Sequence, residues 1–289
     1  MQLAGLTTRY RRRRIVNRVM LGLTVVATAA ALVPLVLIIA YVIQQGIGSI
    51  NLAFLTQTFQ PVVFGTNTAT GGVLHAIVGS ALITGIAVLI AAPFGIMAGI
   101  YLAEYPGGTA STVIRFCTDV LTAMPSIVVG VTAYVLIVQR THQFSALAGS
   151  IALVVLMVPI ITRTTEEILR LVPSSQREAA TALGAPKWWL TLTVVLPVAL
   201  GGIATGVLLA FARAAGETAP LLVTVLGNNN LTFDVFGPMQ ALPLLAYRYS
   251  AQPFKALNQQ AWGAALILVL VVLGTNILVR VLTRRRSVR

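Results

Sequence analysis

Two residues of opposite charge, Arg213 and Glu217, lie four positions apart at the end of a long apolar stretch. If one helix continues through Gly216, this spacing places both side chains on the same face. A guanidinium group presents a planar fork of donors that matches an oxyanion. An arginine at a bilayer centre costs about 2.5–3.5 kcal/mol, so such residues usually face a bundle interior or a water-filled pathway. The pair therefore predicts an oxyanion pathway, and an ion pair that only locks helices together is the alternative.

A charged, alanine-rich island between two apolar runs is the second informative stretch. Its first helix is expected to begin either with Pro173 as first residue or with Ser175 as the cap of a capping box closed by Glu178. Gly184 is expected to end that helix, and Pro186 to start the next. A polar helical hairpin between two membrane spans must dock on a partner in the water phase. The island reads Glu178-Ala179-Ala180-Thr181-Ala182-Leu183-Gly184-Ala185-Pro186-Lys187-Trp188-Trp189, and Leu196-Pro197 closes it.

The usual residue patterns of enzymes and metal proteins are missing from the sequence. There is no Gly-rich loop ending in Gly-Lys-Ser or Gly-Lys-Thr, so the chain is not expected to bind ATP itself. His75 and His142 lie far apart, and no His, Cys and carboxylate cluster has metal-ligand spacing. The one cysteine, Cys117, has no partner for an internal disulfide. We expect no catalytic site, metal or cofactor in this chain.

The composition is that of a polytopic membrane protein. Hydrophobic residues make up 57% of the 289 residues and charged residues only 9%, with a mean hydropathy of +0.89. A soluble domain carries about 25% charged residues. The net charge of +13 lies beside apolar runs, which indicates orientation in a membrane rather than nucleic-acid binding. The first apolar run continues well past the about 7–15 residues of a signal peptide, so we predict an uncleaved span.

Apolar runs predict an all-α integral membrane protein with six spans. Pro34 is expected to kink the first span, and Pro125 to bend the third. Pro197 with Gly201-Gly202 is expected to make the fifth irregular, and a short interfacial helix is expected around residues 52–59. The predicted spans are 15–43, 73–101, 116–138, 146–161, 190–214 and 261–282. They follow a basic N-terminus, 1–14, enclose a cytoplasmic loop, 162–189, and precede a basic tail, 283–289.

The other connections are predicted from polarity. Residues 104–115 are expected to form a hydrophilic turn, and residues 44–72 and 227–260 to form outer loops. Gly95-x-x-x-Gly99 permits a close approach between helices. Asp119, near the start of the third span, is expected to be a cap or an interfacial residue.

Basic residues determine the predicted orientation. Sixteen of the 20 Lys and Arg fall at the two termini and in loops 104–115 and 162–189, counting Arg280 with the C-terminus. Three fall in the opposite segments: Arg140, Arg248 and Lys255. Because cytoplasmic loops carry the excess of Lys and Arg, both termini and the charged island are expected in the cytoplasm.

The motifs also resemble a known family. Glu178-Ala179-Ala180, Gly184 and Val194-x-Leu196-Pro197 resemble the coupling motif of ABC-importer permeases, which more often have Ile at position 194. The stretches 118–130 and 212–220 resemble spans three and five of the phosphate permeases within that family. Ala123-Met124 departs from the family's more usual glycine and small aliphatic residue.

The resemblance implies a type I ABC-importer permease fold and ATP-driven import of inorganic phosphate across a bacterial cell membrane. It implies a second, pseudo-symmetric permease subunit, a dimer of ATP-binding subunits that holds the ATP, and an extracytoplasmic phosphate-binding protein, with membrane lipid around the spans. Carried over residue by residue, the substrate-pathway residues are Arg213, Glu217 and Thr218. The residues of the ATPase-coupling helix are Glu178, Ala179, Ala180 and Gly184.

Two other functions remain open from the sequence. One is the same machine with another oxyanion, such as sulfate or molybdate. Glu217 favours phosphate, because phosphate near neutral pH still has a proton to donate to a carboxylate. The other is a membrane scaffold that transports nothing and passes phosphate status to a sensor kinase.

Overall fold

The regular secondary structure of the described residues is helical. The computed structural model describes residues 2–61 and 71–286, with side chains for 10–61 and 71–277. Part of the predicted outer loop, 62–70, and the end of the predicted tail, 287–289, lie outside the described residues. The helices are α1 Gln2–Gly46, α2 Leu52–Thr56, α3 Leu74–Glu104, α4 Thr109–Ala123, α5 Ser126–Ala133, α6 Gln139–Thr141, α7 Ala146–Arg170, α8 Ser174–Ala182, α9 Lys187–Leu190, α10 Leu196–Ala215, α11 Ala219–Thr224, α12 Leu242–Ser250 and α13 Lys255–Arg286.

Five continuous helical stretches of the described chain are long and apolar enough to cross a membrane, and a sixth is broken. The broken stretch consists of α4 and Ser126–Thr141, which bend by 104°. α7 continues past the predicted end at 161 to Arg170, and α13 begins at Lys255 rather than at 261. The five continuous stretches are Tyr10–Ser49, Leu74–Glu104, Ala146–Arg170, Lys187–Ala215 and Lys255–Ile277.

The break in the third span lies at Met124 and Pro125. Both residues have extended backbone, with ψ of 133° and 135°. Proline lacks an N–H group and pushes the residue before it out of the helical region, so the helix ends here and restarts. The stretch predicted as one span, 116–138, is therefore two arms. α4 already begins at Thr109, so the predicted hydrophilic turn is confined to residues 105–108.

The most extensive helix packing joins α3 to α7, and two glycines lie in this contact. A Cβ atom on Gly95 would lie 2.7 Å from Cβ of Ile161, and one on Gly99 would lie 2.5 Å from Cβ of Thr165. The Gly-x-x-x-Gly pattern thus mediates the close approach that it predicts. The buried core around this contact is apolar: Ile83, Ala87, Ala91, Leu153, Met157, Ile161, Ala210, Leu221 and Leu244.

We expect Gly99→Ala to destabilise the protein by about 1–3 kcal/mol, the usual cost of overpacking. The added methyl group would meet the side chain of Thr165 and the carbonyl oxygen of Thr162, 2.7 Å away. Gly85→Ala is the matched control, because nothing lies within 4 Å of a Cβ at this position of the same helix. Thermal unfolding of the detergent-solubilised protein measures both, and equal melting temperatures would contradict the expectation.

Of the two features predicted to make the fifth span irregular, Pro197 accounts for the irregularity and Gly201-Gly202 does not. The irregular part is a π-helical turn, Thr191–Val195, just before Pro197, whereas α10 runs without interruption through Gly201-Gly202. Proline removes one backbone donor of the helical ladder, which accounts for the wider turn. Gly202 instead gives α10 its contact with α7, because a Cβ there would lie 2.6 Å from Ile168.

The segments predicted as outer loops pack into a second core. α2 is the expected short helix, and the side chain of Asn51 caps it by accepting a 2.7 Å hydrogen bond from Phe54 N. The stretch 227–260, predicted as a loop, contains α12 and the start of α13. The leucines of α12 stand among polar residues and aromatics, and they are buried against apolar side chains of α3 and α13. The buried members are Phe54, Val73, Ala76, Leu242, Leu245, Tyr249 and Leu257.

Helix α1 lies at the edge of the bundle, and its apolar side chains are largely exposed in the single chain. It contacts α13 near its C-terminal end, where the rings of Tyr41 and Trp262 meet edge to face at 5.2 Å. Gly46 lies against the backbone of Trp262. Pro34 lies within this helix, which the structure assigns as continuous from Gln2 to Gly46.

Candidate functional site: a helical hairpin and a charged helix break

The charged island forms the predicted helix, turn and helix. α8 ends after Ala182, and Gly184 has φ of +79°, the left-handed conformation that glycine adopts without strain. Gly184 N donates to Thr181 O at 2.9 Å, and Ala185 N donates to Ala180 O at 3.2 Å. These bonds satisfy carbonyl groups at the helix end, as a glycine C-terminus should. α9 then begins at Lys187, directly after Pro186.

The start of α8 differs from both predicted alternatives. Pro173, with ψ of 138°, is the residue before the helix rather than its first residue. Ser175 lies inside α8, and no side chain caps the helix. The capping box with Glu178 is therefore wrong, because Pro173 supplies the extended backbone and the helix starts at Ser174, two residues before the start that a Ser175 cap would give.

Three of the four predicted coupling residues face outward. Glu178, Ala179 and Gly184 are exposed, whereas Ala180 is buried against the apolar base of the hairpin. Leu183 lies beside them in the sequence and is 89% exposed. The hairpin thus presents a carboxylate and a leucine on one open surface.

Two buried carboxylates at the same end of the bundle were missed by the sequence analysis. Glu104, the last residue of α3, pairs with Arg177 of α8 at 2.6 Å, and its side chain is 2% exposed. Glu166 of α7 pairs with Arg115 of α4 at 2.6 Å and with Arg170 at 2.7 Å. The spacing of Arg163, Glu166 and Arg170 on one helix face is the local signal for the second pair.

Asp119 is not a helix cap. It lies in the C-terminal half of α4 and pairs with Arg163 of α7. The side chain of Asp119 is 60% exposed, so solvent screens this pair. Among the side chains that the structure describes, no group of three His, Cys, Asp or Glu is placed to hold a metal ion.

Arg213 and Glu217 lie on either side of a helix end. α10 stops at Ala215, and Gly216 N and Glu217 N donate to Arg213 O and Ala214 O at 3.3 and 3.1 Å. The helix therefore ends before Gly216, whereas the prediction that both side chains share one helix face required it to continue. The two side chains still approach, with Arg213 Nε 3.9 Å from Glu217 Oε1. Their exposed fractions are 55% and 20%.

Thr218 lies at the start of α11 and is half-buried. Its carbonyl oxygen accepts a 3.0 Å hydrogen bond from Leu222 N, and its side chain caps nothing. Pro220, two residues after Thr218, packs tightly on α5. A Cβ atom on Gly130 of α5 would lie only 2.6 Å from Cα of Pro220. The break that carries Arg213, Glu217 and Thr218 therefore abuts α5, the second arm of the broken span.

The fold is shared with solved ABC transporters. An inward-facing MetNI methionine ABC transporter chain aligns with a TM-score of 0.57 and 19% identity, over 74% of this chain and 94% of that one. A bacterial ABC transporter involved in the import of the acidic polysaccharide alginate aligns with a TM-score of 0.57 and 11% identity, over 73% and 79%. At these identities the likeness establishes the fold alone.

Relatives extend over nearly the whole chain. The phosphate transport system permease protein PstA of Yersinia pestis is 44% identical over 95% of this chain and 92% of its own. PstA of Pasteurella multocida is 40% identical over 97% and 99%, and PstA 1 of Mycobacterium tuberculosis H37Rv is 42% identical over 95% and 91%. The family model for the binding-protein-dependent transport system inner membrane component matches residues 95–288. The chain therefore belongs to the family of binding-protein-dependent transport system inner membrane components, among the phosphate transport system permease proteins PstA.

Proposed function

We propose that this chain is one permease subunit of an ATP-driven importer of inorganic phosphate. The observation that carries the proposal is the loosely paired arginine at the break between α10 and α11. Full-length similarity to proteins named as phosphate transport system permeases supports the choice of substrate. The chain supplies half of the translocation pathway and has no ATPase site of its own.

Arg213 is suited to hold an oxyanion transiently. At 3.9 Å its contact with Glu217 is longer than a hydrogen bond, and more than half of its side chain is exposed in the single chain. A partly solvated pair of this kind contributes only about 0–1 kcal/mol, so an arriving anion displaces it at little cost. A pathway site must attract its ion without trapping it, and a loosely held arginine meets both requirements. Thr218 adds a hydroxyl group beside the pair.

The hairpin of α8 and α9 is the proposed contact with the ATPase. Its open surface of Glu178, Ala179, Leu183 and Gly184 docks on a dimer of ATP-binding subunits, which is PstB-like and binds the ATP. A second, PstC-like permease subunit covers the face that carries Arg213, and a PstS-like extracytoplasmic protein delivers phosphate to the outer segments. In the proposed orientation both termini and the hairpin lie in the cytoplasm of a bacterial cell and the spans lie in lipid; the excess of Lys and Arg in these segments supports it.

The test is ATP-dependent uptake of labelled phosphate and labelled sulfate by proteoliposomes that hold this chain with its three partners. We expect phosphate uptake that needs ATP and the binding protein, and little sulfate uptake. Vesicles without ATP and vesicles without this chain are the controls.

The two competing functions give different results in the same vesicles. Sulfate uptake in the absence of phosphate uptake would assign the chain to another oxyanion. No uptake of either anion, by a complex that still hydrolyses ATP, would favour the sensing scaffold.

A further inference from the structure

The hairpin is joined to the membrane helices by an apolar base and by two basic side chains. In the base, Ala180 and Leu190 pack with Leu169, Val172 and Val195. Apolar contact of this kind is non-directional, so it lets one surface slide on another. The basic side chains are Arg177 of α8 and Lys187 of α9, and their contacts have defined directions.

Both basic side chains reach the same residue, Glu104 at the C-terminal end of α3. Arg177 Nη1 donates to Glu104 Oε1 at 2.6 Å, and its Nη2 donates to Leu169 O of α7 at 2.9 Å. Lys187 Nζ donates to the backbone oxygen of Glu104 and lies 4.5 Å from the ring centroid of Tyr105. One helix end therefore receives both arms of the hairpin.

The bond between Arg177 and Glu104 resists separation. The carboxylate of Glu104 is almost fully buried, and opening the pair would leave its charge without compensation in a desolvated setting. The guanidinium group is also held at a second point by Leu169 O, which restricts its rotation. These two contacts fix the side chain of Arg177 between α8, the end of α3 and α7.

Helix α3 is held at its other end as well. It has 31 residues and so spans about 46 Å. At the outer side, Leu242 N donates to Ser80 Oγ at 2.7 Å, and Gly79 packs against the backbone of Gln240. Between the two ends, Gly95 and Gly99 seat the helix on α7. The helix therefore connects the hairpin with the outer segment around α12.

We propose that the buried ion pair between Arg177 and Glu104 is the rigid link through which movement of the hairpin reaches α3. Arg177 is then a positioning residue: it touches neither ATP nor phosphate, and it determines how much transport each hydrolysed ATP drives. The inference rests on the proposed docking of the ATPase on the hairpin.

The first test compares Arg177→Gln with wild type in the reconstituted complex. We expect the complex to assemble and to hydrolyse ATP, while phosphate transported per ATP falls at least about fivefold, the lower end of usual coupling effects. Arg170→Gln is the matched control. It removes an arginine that pairs with a buried carboxylate at the same bundle end, and Glu166 keeps its bond to Arg115. Its coupling ratio should stay at the wild-type value.

A covalent replacement of the ion pair gives a readout that a purely structural role would not change. Glu104→Cys and Arg177→Cys are combined in a background carrying Cys117→Ser, with partner subunits free of cysteine. We expect this variant to be uncoupled when untreated. A short bis-methanethiosulfonate bridge between the two thiols should restore most of the transport per ATP.

Three outcomes would overturn the link. An unchanged coupling ratio in Arg177→Gln would show that the hairpin moves α3 through the apolar base. Loss of the ATPase from the complex would make the pair an assembly contact. A bridged variant that stops transporting would show that the pair must open during the cycle.

Leu183→Asp separates these outcomes from failure of the proposed docking. It places a charge on the exposed leucine of the hairpin without touching Arg177 or Glu104, and we expect it to lose the ATPase from the purified complex. If Leu183→Asp keeps the ATPase bound and coupled, the ATPase does not dock on this surface of the hairpin. The proposed role of the Arg177–Glu104 pair would then be wrong as well.

Discussion

Arg213→Gln should lower ATP-dependent phosphate uptake by about 10- to 100-fold while leaving complex assembly intact. Hydrogen bonds to charged groups contribute about 1.5–3 kcal/mol each, and a factor of ten corresponds to about 1.4 kcal/mol. Glutamine keeps two of the donors and much of the length, but loses the charge and the planar fork. Because Arg213 is 55% exposed and held only at 3.9 Å, its loss leaves no buried charge behind.

Arg140→Gln is the matched control for the loss of one positive charge. Arg140 is exposed and lies on the short connection before α7, away from the α10–α11 break. Its variant should transport phosphate at close to the wild-type rate. Arg213→Lys, which keeps the charge without the fork, should fall between wild type and Arg213→Gln. Full uptake by Arg213→Gln would leave Arg213 the role of fastening the end of α10.

Glu217→Gln in the same assay tests the discrimination between oxyanions. In the proposed pathway the carboxylate accepts a hydrogen bond from protonated phosphate, whereas sulfate has no proton to donate near neutral pH. We expect the variant to narrow the ratio of phosphate to sulfate uptake more than it lowers phosphate uptake. A ratio that stays at the wild-type value would restrict Glu217 to holding Arg213.

Glu166→Ala should destabilise the folded chain by about 3 kcal/mol, the lower end of the range for breaking a buried ion pair. The side chain of Glu166 is 4% exposed and compensates Arg115 at 2.6 Å and Arg170 at 2.7 Å, with Arg163 at 3.9 Å. Without it, three guanidinium groups of α4 and α7 face one another with no buried counter-charge. Their own partial exposure to solvent limits the loss, which is why the lower end applies. Thermal unfolding in detergent measures it.

Asp119→Ala provides the comparison within the same helix pair. It also removes a carboxylate that links α4 to α7, but that carboxylate is 60% exposed. An exposed pair contributes about 0–1 kcal/mol, so the melting temperature should change little. Equal losses in the two variants would show that burial does not determine the strength of these contacts.

Features with a local cause were predictable from the sequence. The turn at Gly184 follows from a residue that tolerates positive φ, and the break at Pro125 follows from a missing N–H group. Gly95 and Gly99 mark the close helix contact, since four-residue spacing keeps both on one face. Exceptions arose where two local signals competed, as at the start of α8.

What depends on distant parts of the chain was not predictable from one sequence. Glu104 and Arg177 are 73 residues apart, and Arg115 and Glu166 are 51 apart, so no periodic pattern links them. The helix α12 forms in a stretch predicted as a loop because α3 and α13 bury its leucines.

The candidate site also has features with a local cause and features that depend on distant residues. Residue types and spacing alone determined a membrane-spanning helical chain with a polar helical hairpin, and they predicted a partner for the hairpin and an oxyanion for Arg213. Only the tertiary structure decided that Arg213 lies at a helix end, loosely paired, and that both arms of the hairpin meet at Glu104. Neighbouring residues determine local backbone preferences, whereas the burial of a charge depends on which helices surround it.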